Sequence, residues 1–199
     1  AEPLMILGDV PSLERAARLD PNHSGIRFQL AVALELQKDY AGALREAKAA
    51  LEAQPMVSVY YTKVASLSGI LMQDAVFDGR RADAEPIARD LVTLGQSFAD
   101  RKRLGDSLQA HWRAERLTME PEFKLRYGQA LFLTGDKKGA EPLLQEAAKV
   151  GLLGSEAEVW LYVLYEQRGD SKAMQALAGQ PWIRFRAQNP VYKNLKAWQ

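Results

Sequence analysis

The sequence predicts an all-α protein, a solenoid built from stacked helix-turn-helix units. Two observations predict this class. Apolar residues recur three and four positions apart over most of the 199 residues, which is the spacing of one buried helix face. The breaks between these patterns also recur, because Gly135-Asp136 and Gly169-Asp170 lie 34 residues apart, as do Pro21 and Pro55. A fixed interval of this length is typical of a repeat array, in which each unit buries the apolar face of its neighbour.

The composition is that of a globular protein with a core. Hydrophobic residues make up 47% of the chain and charged residues 26%. The 26 Lys and Arg nearly balance the 25 Asp and Glu, so the overall charge does not favour nucleic acid or an anionic membrane as partner. The absence of Cys excludes disulfides, thiol catalysis and Cys-ligated zinc. No stretch reaches the roughly 18 continuous apolar residues of a membrane-spanning helix.

The first segment predicts a truncated unit. Residues 13–19 have helical spacing and end at Asp20-Pro21, and residues 3–7 are interpreted as a remnant of the partner helix. A start inside a unit exposes an unpaired apolar face. Two interpretations stay open: a signal or anchor was removed before Ala1, or the chain is a piece of a larger protein. The repeat register favours the second.

Residues 24–55 form the clearest unit. A first predicted helix carries apolar residues over 28–36, a turn follows at Lys38-Asp39, and a second helix stops before Pro55. Ala31 and Ala43 are small at the positions where the two helices face each other, which lets their axes approach closely. Proline ends the unit because it can neither donate a backbone hydrogen bond nor continue the helix.

This unit resembles the tetratricopeptide repeat family, and two later units, residues 121–154 and 155–181, resemble it as well. Arg27 stands where the family has a large aromatic residue, with Phe28 beside it, and the second helix of the last unit is short and broken at Gly179. The matching positions in the three units are Leu30, Ala31, Leu34, Ala43, Ala47, Ala50 and Pro55; Tyr127, Gly128, Leu131, Gly135, Ala140 and Ala147; and Leu161, Tyr162, Tyr165 and Gly169.

The segment 56–120 fits the repeat less well. Helical patterns cover residues 57–77, 82–99 and 107–118, with breaks predicted at Gly79 and at Gly105-Asp106. Three helices cannot all pair here, so one is expected to pack irregularly. We therefore expect an array over residues 1–181, irregular at 56–120, followed by a C-terminal capping segment at 182–199.

The resemblance implies a right-handed superhelix whose first helices line a concave groove. Groove positions would suit an amphipathic helix or an extended segment with apolar anchors. The family's Lys and Asn clamp for a C-terminal carboxylate is absent, which argues against a co-chaperone for such tails. The candidate partner-groove residues are Phe28, Val32, Glu35, Leu36, Leu125, Gln129, Phe132, Leu133, Val159, Val163, Glu166 and Gln167.

No catalytic, cofactor or metal site is predicted. His23 and His111 have no second His or Cys at ligand spacing. Acids such as Glu115 lie at solvent-facing positions, and no nucleophile elbow or phosphate loop is present. The phosphate-like run at residues 135–139 is explained as a turn between helices. We expect a protein that is not an enzyme.

Two basic stretches have competing interpretations. Residues 101–103 are flanked by Asp100 and Asp106, which favours a solvated helix end. The segment from Trp182 to Trp198 interleaves aromatic residues with cations, a pattern that can stack bases or contact a membrane surface. A cap over the apolar end of the array is the favoured interpretation.

Three functions follow from these observations. The favoured one is an adaptor that binds a protein or peptide partner in the groove, with no nucleic acid expected. The second is an accessory repeat domain of a larger bacterial envelope, export or polysaccharide-assembly machine. The third is nucleic-acid or anionic-surface binding through the C-terminal tail. We expect a soluble protein of the cytoplasm or periplasm, with a bacterial periplasm favoured.

Overall fold

The computed structural model describes residues 9–109 and 119–198, and the regular elements of those residues are all helical. The all-α prediction is therefore confirmed. None of the described helices is long and apolar enough to cross a membrane. The elements are α1 (Val10–Leu19), α2 (Ser24–Leu36), α3 (Tyr40–Ala53), α4 (Ser58–Phe77), α5 (Arg81–Gln109), α6 (Pro121–Leu133), α7 (Lys137–Ala147), α8 (Gly151–Arg168), α9 (Ser171–Leu177), a 3-10 helix (Pro181–Gln188) and α10 (Pro190–Ala197).

The recurring two-residue break in the sequence is one turn used three times. Its first residue has a left-handed backbone, with φ of 64° at Lys38, 95° at Gly135 and 70° at Gly169. The Asp that follows is the N-cap of the next helix, and its side chain accepts a hydrogen bond from the backbone N–H three residues later, at 2.9, 2.9 and 3.0 Å. The turn therefore ends one helix and begins its partner within two residues.

The chain divides into two compact units. The first combines residues 1–67 with 98–118, and the second combines 68–97 with 119–199, so the chain passes between them within α4 and again within α5. The C-terminal segment belongs to the same unit as α6–α9. The predicted boundary between an array and a cap at residue 181 stays a prediction.

In the first unit, α2 and α3 form a close helix pair. Ala31, Ala43 and Ala47 have no solvent exposure, as expected where two helices approach with little room for side chains. An ion pair between Arg27 and Glu46 joins the two helices at 2.6 Å. The arginine that replaces the expected aromatic residue thus takes part in the helix pairing.

Helix α4 lies beside α2 in the same unit. The Tyr60 hydroxyl donates to Ser24 Oγ at 3.3 Å, the rings of Phe28 and Tyr60 are 5.1 Å apart, and Lys63 pairs with Glu35 at 2.7 Å. These contacts advance along both helices in the same direction. Helices α2 and α4 are therefore parallel neighbours, and this is the relation that stacking of consecutive helix pairs requires.

The second unit repeats these relations. Helix α6 pairs with α7, α7 contacts α8, and α8 contacts α9. Helices α6 and α8 are again parallel neighbours, because Gln129 contacts Glu156 and, about one turn later in both helices, the rings of Phe132 and Trp160 lie edge to face, 5.4 Å apart. The backbone of α4 approaches α6 so closely at Gly69 that an added Cβ would overlap the Arg126 side chain.

The expectation for residues 56–120 was wrong at one break. Gly105-Asp106 was predicted to interrupt a helix, but α5 continues through it to Gln109. Gly105 is buried, and an added Cβ would lie 3.1 Å from the Met56 methyl carbon, so the glycine serves a close contact and not a turn. The predicted turn at Gly79 is confirmed by its φ of 74°. Residues 110–118 lie outside the described residues.

Candidate partner-binding surfaces

The first candidate surface lies on α2 and α4 in the first unit, and we name it the α2–α4 face. Its α2 side consists of Phe28, Val32, Glu35 and Leu36, which share one side of the helix at positions i, i+4, i+7 and i+8. Leu36 is 72% exposed, and Phe28 and Val32 are partly exposed. All four were predicted as groove residues. The structure places them on one helix face.

The α4 side of this face adds an apolar residue and a fixed charge. Val59 is 49% exposed and lies one turn before Lys63. Lys63 is held by Glu35, and both side chains keep between a fifth and a quarter of their exposure. The α2–α4 face therefore combines open apolar side chains with one ion pair, which suits an apolar anchor with polar groups at its margin.

The corresponding groove predictions in the second unit have a different outcome. Leu125, Gln129 and Val163 have no solvent exposure, and Phe132 and Val159 have 6% and 7%. Leu125, Gln129 and Val163 are core positions, whereas Phe132 and Val159 are nearly buried and each reaches the wall of a small cleft. The apolar or amide side chains that were expected to meet a partner are covered by other residues of this chain.

Gln129 belongs to a polar cluster that the groove assignment did not anticipate. The Glu156 Oε1 atom accepts hydrogen bonds from Arg126, from Gln73 and, at 2.7 Å, from Gln129. Arg126 is only 7% exposed, and Glu122 lies 3.8 Å from its guanidinium. A buried arginine needs such partners because an uncompensated charge in the core is costly. The cluster joins α4, α6 and α8.

The C-terminal segment, residues 181–198, contacts Glu166, another of the predicted α8 groove positions. The Tyr192 hydroxyl donates to both carboxylate oxygens of Glu166, at 2.9 and 3.2 Å, and Lys196 Nζ lies 3.1 Å from the same carboxylate. The Trp182 indole N–H donates to Glu158 at 3.1 Å. Burial and the hydrogen bond to Glu166 raise the pKa of Tyr192, and the same carboxylate raises the pKa of Lys196.

The same segment also contacts the turn between α4 and α5. The Asn194 side-chain amide donates to the carbonyl oxygens of Val76 and Phe77, at 2.8 and 2.9 Å. Arg81 donates to the carbonyl oxygen of Trp198 at 3.0 Å. The carbonyls of Val76 and Phe77 belong to the end of α4, where helix carbonyls lack intrahelical partners. The sequence carried one signal for this docking, the helical spacing of Tyr192 and Leu195, which are both buried.

The residues considered for chemistry have structural partners where they are described. His23 is the N-cap of α2, and its Nδ1 accepts from the Ile26 N–H at 3.2 Å. Lys102 and Arg103 pair with Asp106 and Asp100. Within residues 9–109 and 119–198, no group of three His, Cys, Asp or Glu is placed to hold a metal ion. His111 and Glu115 lie outside the described residues.

Comparison with known proteins does not assign a function to these surfaces. No protein-family model matches the chain, and no characterised protein matches it. The tetratricopeptide resemblance therefore stays a prediction that rests on the residues and spacings described above.

Proposed function

We propose that this chain is a non-enzymatic interaction module of tetratricopeptide-like helix pairs, which binds a partner protein or peptide. The observation that carries the proposal is the α2–α4 face. Leu36 is 72% exposed at the end of the row that Phe28 and Val32 form on α2, and Val59, 49% exposed, precedes Lys63 by one turn on the parallel α4. Exposed apolar side chains that share a surface are typical of a binding site.

The repeated local geometry supports the solenoid part of the proposal. Three helix pairs use the same turn, with a left-handed residue followed by an Asp N-cap. The first helices of consecutive pairs are parallel neighbours in each unit, as the contacts between α2 and α4 and between α6 and α8 indicate. Units of this kind bury one another's apolar sides and leave the first helices for a partner.

The partner is expected to be an amphipathic helix or an extended segment with apolar anchors. Phe28, Val32 and Leu36 form an apolar row along α2 at intervals of four residues, against which the apolar face of a guest helix can pack. The Glu35–Lys63 pair lies beside them and can orient polar groups of the partner. Anchors that leave water on binding supply roughly 25 cal/mol for each Å² of apolar area buried.

Site-specific photo-cross-linking tests this proposal. A photoreactive amino acid is placed at Leu36 in the full chain, and a matched control places it at Arg45, an exposed position on α3. The proposal predicts a cross-linked partner from position 36 and none from position 45. It also predicts that Val32→Asp abolishes the product while the far-UV circular dichroism is unchanged. Equal labelling from both positions, or none from position 36, would refute the assignment.

The alternative functions have less support from contacts. In the C-terminal segment, Trp182 and Tyr192 are engaged with α8, and Lys196 pairs with Glu166. Side chains held in this way are not presented for base stacking or for an anionic surface. Membership of a larger envelope or export machine remains compatible with an interaction module, because repeat arrays serve as docking domains in such assemblies.

A further inference from the structure

A short helix of this chain, α10, occupies a surface of the second unit. Helix α10 has eight residues, fewer than the roughly 12–15 that an isolated helix needs to be stable in water. Its position therefore depends on the contacts that it makes. Two of its side chains, Tyr192 and Leu195, are 6% and 2% exposed, and Tyr192 and Lys196 converge on Glu166 of α8.

Two clefts open to solvent lie along the seam between this segment and the rest of the unit. A cavity of about 290 Å³ lies between Glu156 and Trp160 of α8 and Trp182 and Val191 of the segment. The open cleft leaves room beside the segment for a larger side chain on the α8 surface.

A second cavity lies farther along the same seam. It measures about 190 Å³ and is lined by Phe132 and Leu133 of α6, Gln167 of α8, and Leu195 and Trp198 of the segment. The Gln167 Oε1 atom is buried and accepts no hydrogen bond from the described residues. A buried acceptor without a donor is costly, so a better-matched occupant would gain from supplying one.

We propose that residues 181–198 are an exchangeable occupant of an interaction surface on α8. The surface binds in trans an amphipathic helix of the same chemistry: an aromatic hydroxyl, an apolar side chain three residues later and a cation four residues later. Glu166 recognises the hydroxyl and the cation, and the two clefts leave room for larger side chains than Val191 and Leu195. This inference concerns the second unit and is independent of any partner at the α2–α4 face.

A peptide in trans tests the inference in the full chain. The released variant carries Tyr192→Ala and Leu195→Ala, which remove the two buried anchors of α10. Lys193→Ala is the matched control, because Lys193 is an exposed residue of the same helix and its loss leaves α10 docked. The probe is a fluorescently labelled peptide with the sequence of residues 188–198, and its binding is followed by fluorescence anisotropy.

The peptide is expected to bind the released variant at least about tenfold more tightly than it binds the wild type or Lys193→Ala, because the apparent dissociation constant rises as the fraction of open surfaces falls. Adding Glu166→Gln to the released variant is expected to weaken binding, and a peptide with Ala at the Tyr and Leu positions is expected not to bind. Equal binding to all variants would overturn the inference. So would a released variant that loses its helical circular dichroism, because the segment would then be an obligatory structural cap.

Discussion

The left-handed residue in the first turn offers a direct test of the repeat geometry. Lys38 has a φ of 64°, and the equivalent Gly169 has 70°. The two turns share their backbone hydrogen bonds, since residues 38 and 169 donate to the carbonyls three positions earlier at 2.9 and 3.1 Å. A lysine at this φ is strained, whereas a glycine is not. Lys38→Gly is therefore expected to stabilise the protein.

The magnitude follows from two opposing terms. A non-glycine residue in the left-handed region costs roughly 1–2 kcal/mol, and glycine adds about 0.4–1 kcal/mol of backbone entropy to the unfolded chain. The net gain for Lys38→Gly is therefore about 0.5–1 kcal/mol. Lys38 is exposed and forms no ion pair with a described residue, so no side-chain interaction is lost. The matched substitution Gly169→Ala is expected to cost about 1 kcal/mol, since its Cβ would meet no atom within 4 Å and only backbone strain would act.

Urea unfolding followed by circular dichroism measures both effects. Opposite shifts of the unfolding midpoint are expected, with unchanged slopes. In a chain of this size a change of 1 kcal/mol moves the melting temperature by about 2–4 °C, which calorimetry resolves. A loss of stability in Lys38→Gly, or a neutral Gly169→Ala, would show that these two turns are not equivalent.

Three further predictions concern the second unit. Gly69→Ala is expected to lower the free energy of unfolding in urea by about 2 kcal/mol, because its Cβ would overlap the Arg126 side chain. In an Arg126→Ala background the effect of Gly69→Ala should largely disappear. If the two substitutions instead had additive effects, the contact would be contradicted. Glu156→Gln is expected to lower the free energy of unfolding by about 2 kcal/mol, since Glu122, 3.8 Å away, is then the only acid left near the buried Arg126 guanidinium among the described residues. An unchanged unfolding midpoint would show that the polar cluster does not stabilise the fold. Burial and a hydrogen bond raise the pKa of Tyr192 above its ordinary 10.0, so its stabilising effect is complete below pH 10 and is lost as pH rises through the folded-state pKa. The stability difference between wild type and Tyr192→Phe should therefore be constant from pH 8 to about pH 9 and shrink as the pH rises above 10, and a difference that stays constant above pH 10 would contradict this.

Much of the helical architecture could be predicted from local features. Turns with a left-handed residue and an Asp N-cap are encoded within a few residues, so their positions at 38–39, 135–136 and 169–170 were read correctly. Small residues such as Ala31 and Ala43 indicated close helix pairing because only their size permits it. The same reasoning failed at Gly105, since a glycine that serves a tertiary contact has the same sequence signal as a glycine that serves a turn.

The candidate site was less predictable. Four groove residues on α2 lie on one face, but Leu125, Gln129 and Val163 are buried. The register of a helix predicts on which side of the helix a residue lies. It does not predict whether another part of the chain covers that side. The buried Arg126 was not anticipated either, because an arginine that neutralises a distant carboxylate has no local pattern.

The amino-acid sequence by itself determined the helical class, the three Asp-capped turns and the helix pairs that those turns join, because these depend on spacing, backbone geometry and side-chain size within some 30 residues. Only the tertiary structure decided which first-helix faces stay open and which are covered. Contacts such as Asn194 with the end of α4 join residues more than 100 positions apart. Their formation depends on the summed packing of the whole unit, and no local pattern encodes that sum.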